Sequence, residues 1–448
     1  MATTRGTVIL ALLAVAGGTG CSNFLTSDDV ANNPNLPSTA TAQQLFIGVQ
    51  SNVWFQYEGG LAHLACIMIQ ACTGVRRDDL AWSRYDFNRS TFTDAYTGLY
   101  IGGGLVDIKQ IKSLTHGIFH GVARIYEALD LLLLTEVFGD VPYRDAAGTN
   151  PTPILQAQDS IYGDLLTLLD GAIADLATGT ESPGASDLVF GGDAGRWTAV
   201  AHTLKARIWL RRAEHRGNPA YQSALAEANQ GITDASGAGD LLIPNSSQPS
   251  ENNPWFYAVD LTVGNGMAAL MNARQDPRAP EYFACDPRNG IPCVPGSTSL
   301  TGTIRGAVDF DQPLVTYEEN ELIRAETTWH ISSAGAAAQF LNNVRGAHGL
   351  PDILAPLLQD IAEEKYIVQF QNIEAWADWK RTCDPVLTPT DPAVYDGEIP
   401  GRAYYGADEV KANPNYPPAS WEKDHGGNWI SDPSFSGFRN WDDEKKCP

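Results

Sequence analysis

His116 and His120 stand four residues apart, a spacing that puts two imidazoles on one helix face where they can share a metal ion. No third ligand accompanies them, and a zinc site needs at least three protein ligands, so neither a metal nor any other cofactor is expected. The doublets Asp28-Asp29, Asp78-Asp79 and Asp442-Asp443 lack the spacing of a calcium loop and read as solvated turns. Nucleophile elbow, Walker loop, His-Glu-x-x-His and dinucleotide fingerprint are all missing. Gly102-Gly103-Gly104 has no lysine behind it to serve a phosphate and reads as a flexible turn. With 53 acidic residues a glycosidase pair is not excluded, but no spacing singles one out. The expectation is recognition without turnover, and no enzyme.

Recognition is suggested by aromatic residues in polar company: Trp54, Tyr57, Trp82, Tyr85, Trp255, Tyr257, Tyr404 and Tyr405. A sugar offers a flat C–H face and a rim of hydroxyls, so aromatic stacking plus Asn, Asp, Arg or Gln hydrogen bonds hold it. Burial in a core is the commoner fate of any one such residue. For Trp82 and Tyr85, inside Arg76-Arg77-Asp78-Asp79-Leu80-Ala81-Trp82-Ser83-Arg84-Tyr85, the polar neighbours favour exposure. The same holds for Trp255 beside Asn252, Asn253 and Pro254. The expected ligand site is therefore Trp82, Tyr85, Asp79 and Arg84, with Trp255, Tyr257 and Asn253.

Helices must position these residues. Ile118, Val122, Ile125, Leu129, Leu132 and Leu133 recur at three- and four-residue steps and predict a helix over 118–138. It has to stop at Gly139-Asp140-Val141-Pro142, because proline excludes helical backbone before it. A second stripe, from Ile161 to Leu176, predicts a helix over 160–177 with Asp159 or Ser160 as its cap. Residues 196–215 and 220–233 form a helical hairpin around Gly217-Asn218-Pro219, with alanines that permit close approach. Helix returns at 318–331, at 334–346 and as one long run over 352–381. Between 240 and 315 Gly, Pro, Asn and Ser are dense and no helical stripe survives, the composition of a functional surface. The fold class expected is all-α: tetratricopeptide-like helix pairs as a scaffold, with large irregular loop insertions.

The N-terminus carries Arg5, an apolar run over 8–16, the small residues Gly17-Gly18-Thr19-Gly20, and then Cys21. That order predicts a lipoprotein signal peptide over 1–20 and a lipid on Cys21, with ordinary secretory cleavage as the alternative. The run is too short to span a bilayer core, which takes about 20 residues. Residues 21–40, polar and holding Pro34 and Pro37, read as a lipidated tether; 41–448 read as a single domain. A formal charge of -23 repels nucleic acid and anionic headgroups, so the membrane partner is expected only through the lipid. Cys66, Cys72, Cys285, Cys293, Cys383 and Cys447 remain, an even number suited to an oxidising compartment. Proximity favours Cys66–Cys72, Cys285–Cys293 and Cys383–Cys447 among fifteen connectivities. The first requires a helix to break, since six residues of continuous helix separate Cα atoms by about 9 Å.

Several segments, in order, resemble the SusD/RagB family of outer-membrane lipoproteins. Cys21-Ser22-Asn23-Phe24-Leu25 is similar to its mature start, and Glu136-Val137-Phe138-Gly139-Asp140-Val141-Pro142-Tyr143 to its helix-ending turn. Trp197 through Leu210 resembles its alanine-rich helix; Glu321-Leu322-Ile323-Arg324-Ala325-Glu326 and Leu341-Asn342-Asn343-Val344-Arg345 resemble its next pair. Phe370 through Arg381 and Asn413-Pro414-Asn415-Tyr416-Pro417 look like its closing segments. The resemblance implies four tetratricopeptide-like pairs and a surface-exposed, outer-membrane lipoprotein. It also implies capture of an oligosaccharide, polysaccharide or other oligomeric nutrient for a partner TonB-dependent transporter of the SusC kind. A helical scaffold for a peptide partner and an anchored glycoside hydrolase are the alternatives. Glu374, Trp376, Asp378 and Arg381 are expected to be structural: an acid and a base three apart, with core tryptophans.

Overall fold

The computed structural model describes residues 40–389 and 399–416. Among these residues helices dominate, and four strands form two two-stranded sheets, neither closed. In chain order come α1 (Ala42–Glu58), α2 (Gly60–Met68), β1 (Cys72–Gly74), α3 (Arg77–Trp82), α4 (Arg89–Gly98), α5 (Leu105–Leu114), α6 (Gly117–Phe138) and α7 (Gln158–Leu176). Then follow α8 (Ala194–Arg211), α9 (Ala213–Arg216), α10 (Asn218–Ala228), β2 (Leu241–Ile243), β3 (Leu261–Val263), α11 (Asn265–Arg274) and α12 (Ala279–Tyr282). Last are β4 (Gln312–Val315), α13 (Tyr317–Ile331), α14 (Ala334–Ala347), α15 (Leu358–Val368), α16 (Glu374–Thr382) and α17 (Ala407–Ala412).

The scaffold is a stack of helix hairpins. α6 packs on α7, α7 on α8, α8 on α10, α10 on α13, and α13 on both α14 and α15. α6 is the axis, and its apolar ladder is almost wholly buried. Its close seat on α7 depends on Gly121, where a Cβ would come within 2.9 Å of the Ala172 carbonyl. It ends at Phe138, as the sequence requires, because Gly139 takes φ 79°, a left-handed conformation that favours glycine.

Three expectations are corrected. α7 starts at Gln158, so neither Asp159 nor Ser160 caps it; Asp140 from the preceding loop accepts from the Gln158 N–H at 2.9 Å instead. Asp159 is held by Arg212 and Arg216. The run 352–381 is not one helix but α15 and α16, broken at Gln371 with φ 70°. Polar side chains divert the chain there. Asn372 Nδ2 donates to the Pro313 carbonyl at 3.1 Å, and Gln371 Oε1 accepts from Gln312 Nε2 at 3.2 Å, so the break docks on β4. Finally, the stretch 240–315 contains α11, the short α12 and three strands, β2, β3 and β4, whose pairing partners lie far away in sequence.

A network of charge lies between the helices. Arg207, on α8, bonds Glu319 at 2.6 Å and Glu374 at 2.9 Å. Arg211, one turn on, bonds Glu136 at 3.0 Å, Glu374 at 2.6 Å and Asp378. Arg381 reaches Asp378 at 3.1 Å and Glu326 at 2.9 Å, and Lys365 reaches Glu326 and Asp378. Trp376 and Trp379 are core, as expected, and the acid–base pair Asp378–Arg381 forms, but inside the protein.

One acid in this core has no partner. Asp130, on α6, is fully buried and neither carboxyl oxygen meets a hydrogen-bonding group among the described residues. Burial, with the Glu127 charge nearby, holds its carboxyl well above the usual range, so the folded state keeps a proton that the unfolded chain releases. Stability contributed at this position therefore falls as pH rises above the ordinary carboxylate range. Asp130→Asn, which needs no proton, is expected to be more stable than the natural chain at neutral pH by on the order of 1–3 kcal/mol. Urea denaturation at acid and neutral pH checks this; the gap between variant and natural chain should shrink towards the acid end.

Candidate functional site

Among the described residues three aromatic side chains stand out in solvent: Phe55, Phe256 and Tyr257, at 58%, 41% and 59% exposure. Phe256 and Tyr257 stand on one loop, 244–257, and Phe55 lies one helical turn from a residue that bonds it. α1 turns Phe46, Val49, Val53, Trp54 and Tyr57 inward, and Phe55 falls off that stripe. Three residues on, buried Glu58 accepts a hydrogen bond from Asn245 Nδ2 at 3.2 Å. The same Nδ2 donates to the Phe310 carbonyl at 2.9 Å, and the Asn245 N–H donates to Asp311 Oδ1 at 2.9 Å. Farther along the loop, Asn252 Nδ2 donates to the Ser246 and Gln248 carbonyls at 2.9 and 2.7 Å. Asn252 Oδ1 accepts from the Tyr257 hydroxyl at 2.6 Å, and Phe256 stands edge-on to Tyr257 with centroids 5.2 Å apart. Burial pushes the Glu58 carboxyl up to about 8, with the Asn245 bond opposing and the Asp311 charge adding. Flat apolar rings bordered by amides form an amphipathic face, the kind that meets a sugar ring.

The structure sorts the expected site residues by burial. Tyr257 is exposed and Arg84 is exposed; Trp82 is half-buried against the main core and Asp79 is half-buried. Burial raises the Asp79 carboxyl, and the Asp260 charge adds to it. Tyr85, Trp255 and Asn253 are corrections: each is inside the protein. Tyr85 turns under its own loop at φ 59°, and its hydroxyl accepts from Gln70 Nε2 at 3.2 Å. Trp255 packs edge-on against His63 with centroids 4.3 Å apart, and also meets Phe370. Asn253 Nδ2 donates to the Arg305 and Ala307 carbonyls at 3.1 and 3.0 Å, so its polarity fastens two loops together. Trp54, Tyr57, Tyr404 and Tyr405 are buried as well. Polar neighbours misled because their hydrogen bonds are spent on loop backbone, which a long irregular segment must satisfy internally.

The segments next to the two expected clusters are joined, through residues outside both sets. β1 pairs antiparallel with β3, the Val75 N–H donates to the Asp260 carbonyl at 2.9 Å, and Arg77 Nε donates to Asp260 Oδ2 at 2.5 Å. Arg76 adds a longer contact to the same carboxylate, 3.4 Å. Sequence reading missed Phe55, Phe256, Asn245 and Asn252. Phe55 had a signal: it is an aromatic off the period of its own helix.

Covalent bonds pin the segments around this sheet. Cys66 and Cys72 are joined with Cα atoms 5.1 Å apart; α2 ends at Met68 and Gln70 takes φ 56°, which supplies the break the bridge needs. Cys285 and Cys293 are joined, also at 5.1 Å, and Asn272 bonds the Cys293 N–H and carbonyl at 2.8 Å each. Cys383 is disulfide-bonded, while Cys447 lies outside the described residues, as do Cys21 and all of 1–39. Gln70, Arg77 and Tyr85 all hold positive φ as non-glycine residues, a concentration of backbone cost of about 1–3 kcal/mol each that is characteristic of functional segments.

A family model, SusD-like_2, described as "Starch-binding associating with outer membrane", matches residues 34–348, well over half of the chain. This chain belongs to the SusD-like family. Solved structures share the fold. A SusD/RagB family protein from Bacteroides thetaiotaomicron is 20% identical, with a TM-score of 0.69 over 84% of this chain and 95% of its own. A chitin-binding SusD homolog from Flavobacterium johnsoniae is 17% identical, with a TM-score of 0.68 over 90% of this chain and 97% of its own. A structure described as a chitin-binding protein is 21% identical, with a TM-score of 0.70 over 90% of this chain and 100% of its own. No curated protein matches the sequence.

For this SusD-like protein the histidine pair has other employment. His116 sits at the N-cap of α6, and His120 Nδ1 lies 2.8 Å from Asp175 Oδ2. No group of three metal-ligating side chains gathers among the described residues, and no helix there is long and apolar enough to cross a membrane.

Proposed function

We propose that this SusD-like protein captures an oligo- or polysaccharide on the face formed by Phe55, Phe256, Tyr257 and Asn252, and passes it to a TonB-dependent outer-membrane transporter. A lipid on Cys21, exposed by removal of 1–20 and carried on the tether 21–40, holds the single domain 41–448 at the outer membrane. One observation carries the reading: two exposed aromatics, Phe256 and Tyr257, stand on one asparagine-bearing loop, and the third, Phe55, is three residues from Glu58, which bonds that loop's Asn245. The family description and the chitin-binding names among the fold relatives support a glycan as the ligand.

Chitin and starch oligosaccharides are the first probes. Tyr257→Ala is expected to weaken binding of the oligosaccharide that binds by about tenfold, the loss of one stacked ring and its orienting hydroxyl. Its melting temperature should stay close to that of the natural chain, because Tyr257 is exposed. Calorimetric titration and a thermal melt read the two effects separately. Unaltered affinity across the probes that bind would sink the site assignment, and cleaved oligosaccharide would sink the non-enzyme reading. Cys21→Ser should release the protein from membranes, read by fractionation.

A further inference from the structure

The geometry points to Glu58 as a positioning residue of this face: buried at the end of α1, it accepts from Asn245 and so fastens the loop that presents Asn252 and Tyr257. Two carboxyl groups grip one asparagine from opposite sides, Glu58 at its side chain and Asp311 at its backbone N–H. They come from separate segments, the last residue of α1 and the approach to β4, so Asn245 ties both to the loop. Glu58 is buried at the C-terminus of α1, where the helix dipole opposes a negative charge. The charged group that faces it is Asp311; Asn245 is neutral, and no lysine, arginine or histidine among the described residues pairs with it. The arrangement therefore accommodates one negative charge and not two. Ionisation of Glu58 sets two anions against one amide in a partly dry space, and the loop is the movable part.

Burial raises the Glu58 carboxyl to about 8, with Asp311 contributing, so the change is complete only in mildly alkaline solution. The sign is definite. The Asn245 bond itself favours the ionised form, so the change comes from burial. The packed loop keeps Glu58 dry and protonated, and an opened loop lets it ionise in water. The packed form therefore loses stability as pH rises from the ordinary carboxylate range through about 8.

The inference rests on the glycan reading for its purpose, but not for its test. Amide hydrogen exchange over 244–257 is compared between the natural chain and Glu58→Gln, at matched pH so that intrinsic rates cancel. At about pH 4 the two should protect the loop alike; at about pH 9.5 the natural chain should exchange at least about tenfold faster. Equal exchange at both pH values overturns the proposal. Affinity for the bound oligosaccharide should fall in parallel for the natural chain over this range, and should not follow pH in Glu58→Gln. An exchange difference in a protein that binds no glycan at any pH would uphold the positioning role and remove the glycan reading.

Discussion

Arg211→Met is expected to cost about 3–5 kcal/mol of folding stability. Arg211 is 3% exposed at its side chain and serves carboxylates from two helices, Glu136 on α6 and Glu374 and Asp378 on α16. A guanidinium suits this position because its planar fork bonds three partners at once. Methionine fills the space but leaves the three acids facing Arg207, Lys365, Lys380 and Arg381 without their shared cation. Glu136 is pushed up to about 8 by burial and by the Glu374 charge against the pull of Arg211, and without that pull it would hold its proton more firmly. Asp378, held well below the usual range with Arg211 as its largest opposing charge, would be left as a buried anion with one cation fewer. Arg211→Lys should recover only part of the loss, since one ammonium cannot reproduce the fork. Urea denaturation measures both variants; a loss below about 1 kcal/mol would show that the network is replaceable by packing. The same network sets acid sensitivity. Burial alone would raise Glu326, yet Arg381 and Lys365 hold its carboxyl at about 2. Its contribution to stability is present above the ordinary carboxylate value and is lost as pH falls towards 2.

Trp255→Ala should unfold or severely weaken the protein, by about 3–5 kcal/mol, whereas Tyr257→Ala two residues later should not. The short turn Pro254–Tyr257 sends these side chains in opposite directions, Trp255 to 1% exposure against His63 and Phe370, Tyr257 to solvent. The cavity left by an indole in this well-packed interior is too large for neighbours to fill. Thermal melts of the two variants side by side, with titration of the oligosaccharide into each folded sample, separate a core role from a recognition role. A stable Trp255→Ala that no longer binds would reverse the assignment of these two residues.

The scaffold was legible because its information is periodic. The stripe from Ile118 to Leu133 and the stop at Gly139 to Pro142 are local, and α6 follows them to its last residue. The break at Gln371 was not legible, since it depends on Asn372 and Gln371 finding carbonyl and amide partners on β4 some sixty residues earlier. The site was half legible for the same reason. Tyr257 beside Asn252 could be read from composition, but whether Trp255 or Tyr257 faces water is decided by where the turn at Asn253 is fastened. Glu58 was invisible: its partners Asn245 and Asp311 approach only through the pairing of β2 with β4.

The bonds Cys66–Cys72 and Cys285–Cys293 lie in the segments flanking the β1–β3 pair, and all four cysteines are buried in the main core that also holds α6, α7 and α8. Thiols stay reduced in a cytosol and close only in an oxidising compartment. Each bridge closes a short loop, with its cysteines six and eight residues apart, so oxidation restricts the unfolded chain in the segments around β1 and β3, and a reducing agent measures how much of their stability depends on that restriction.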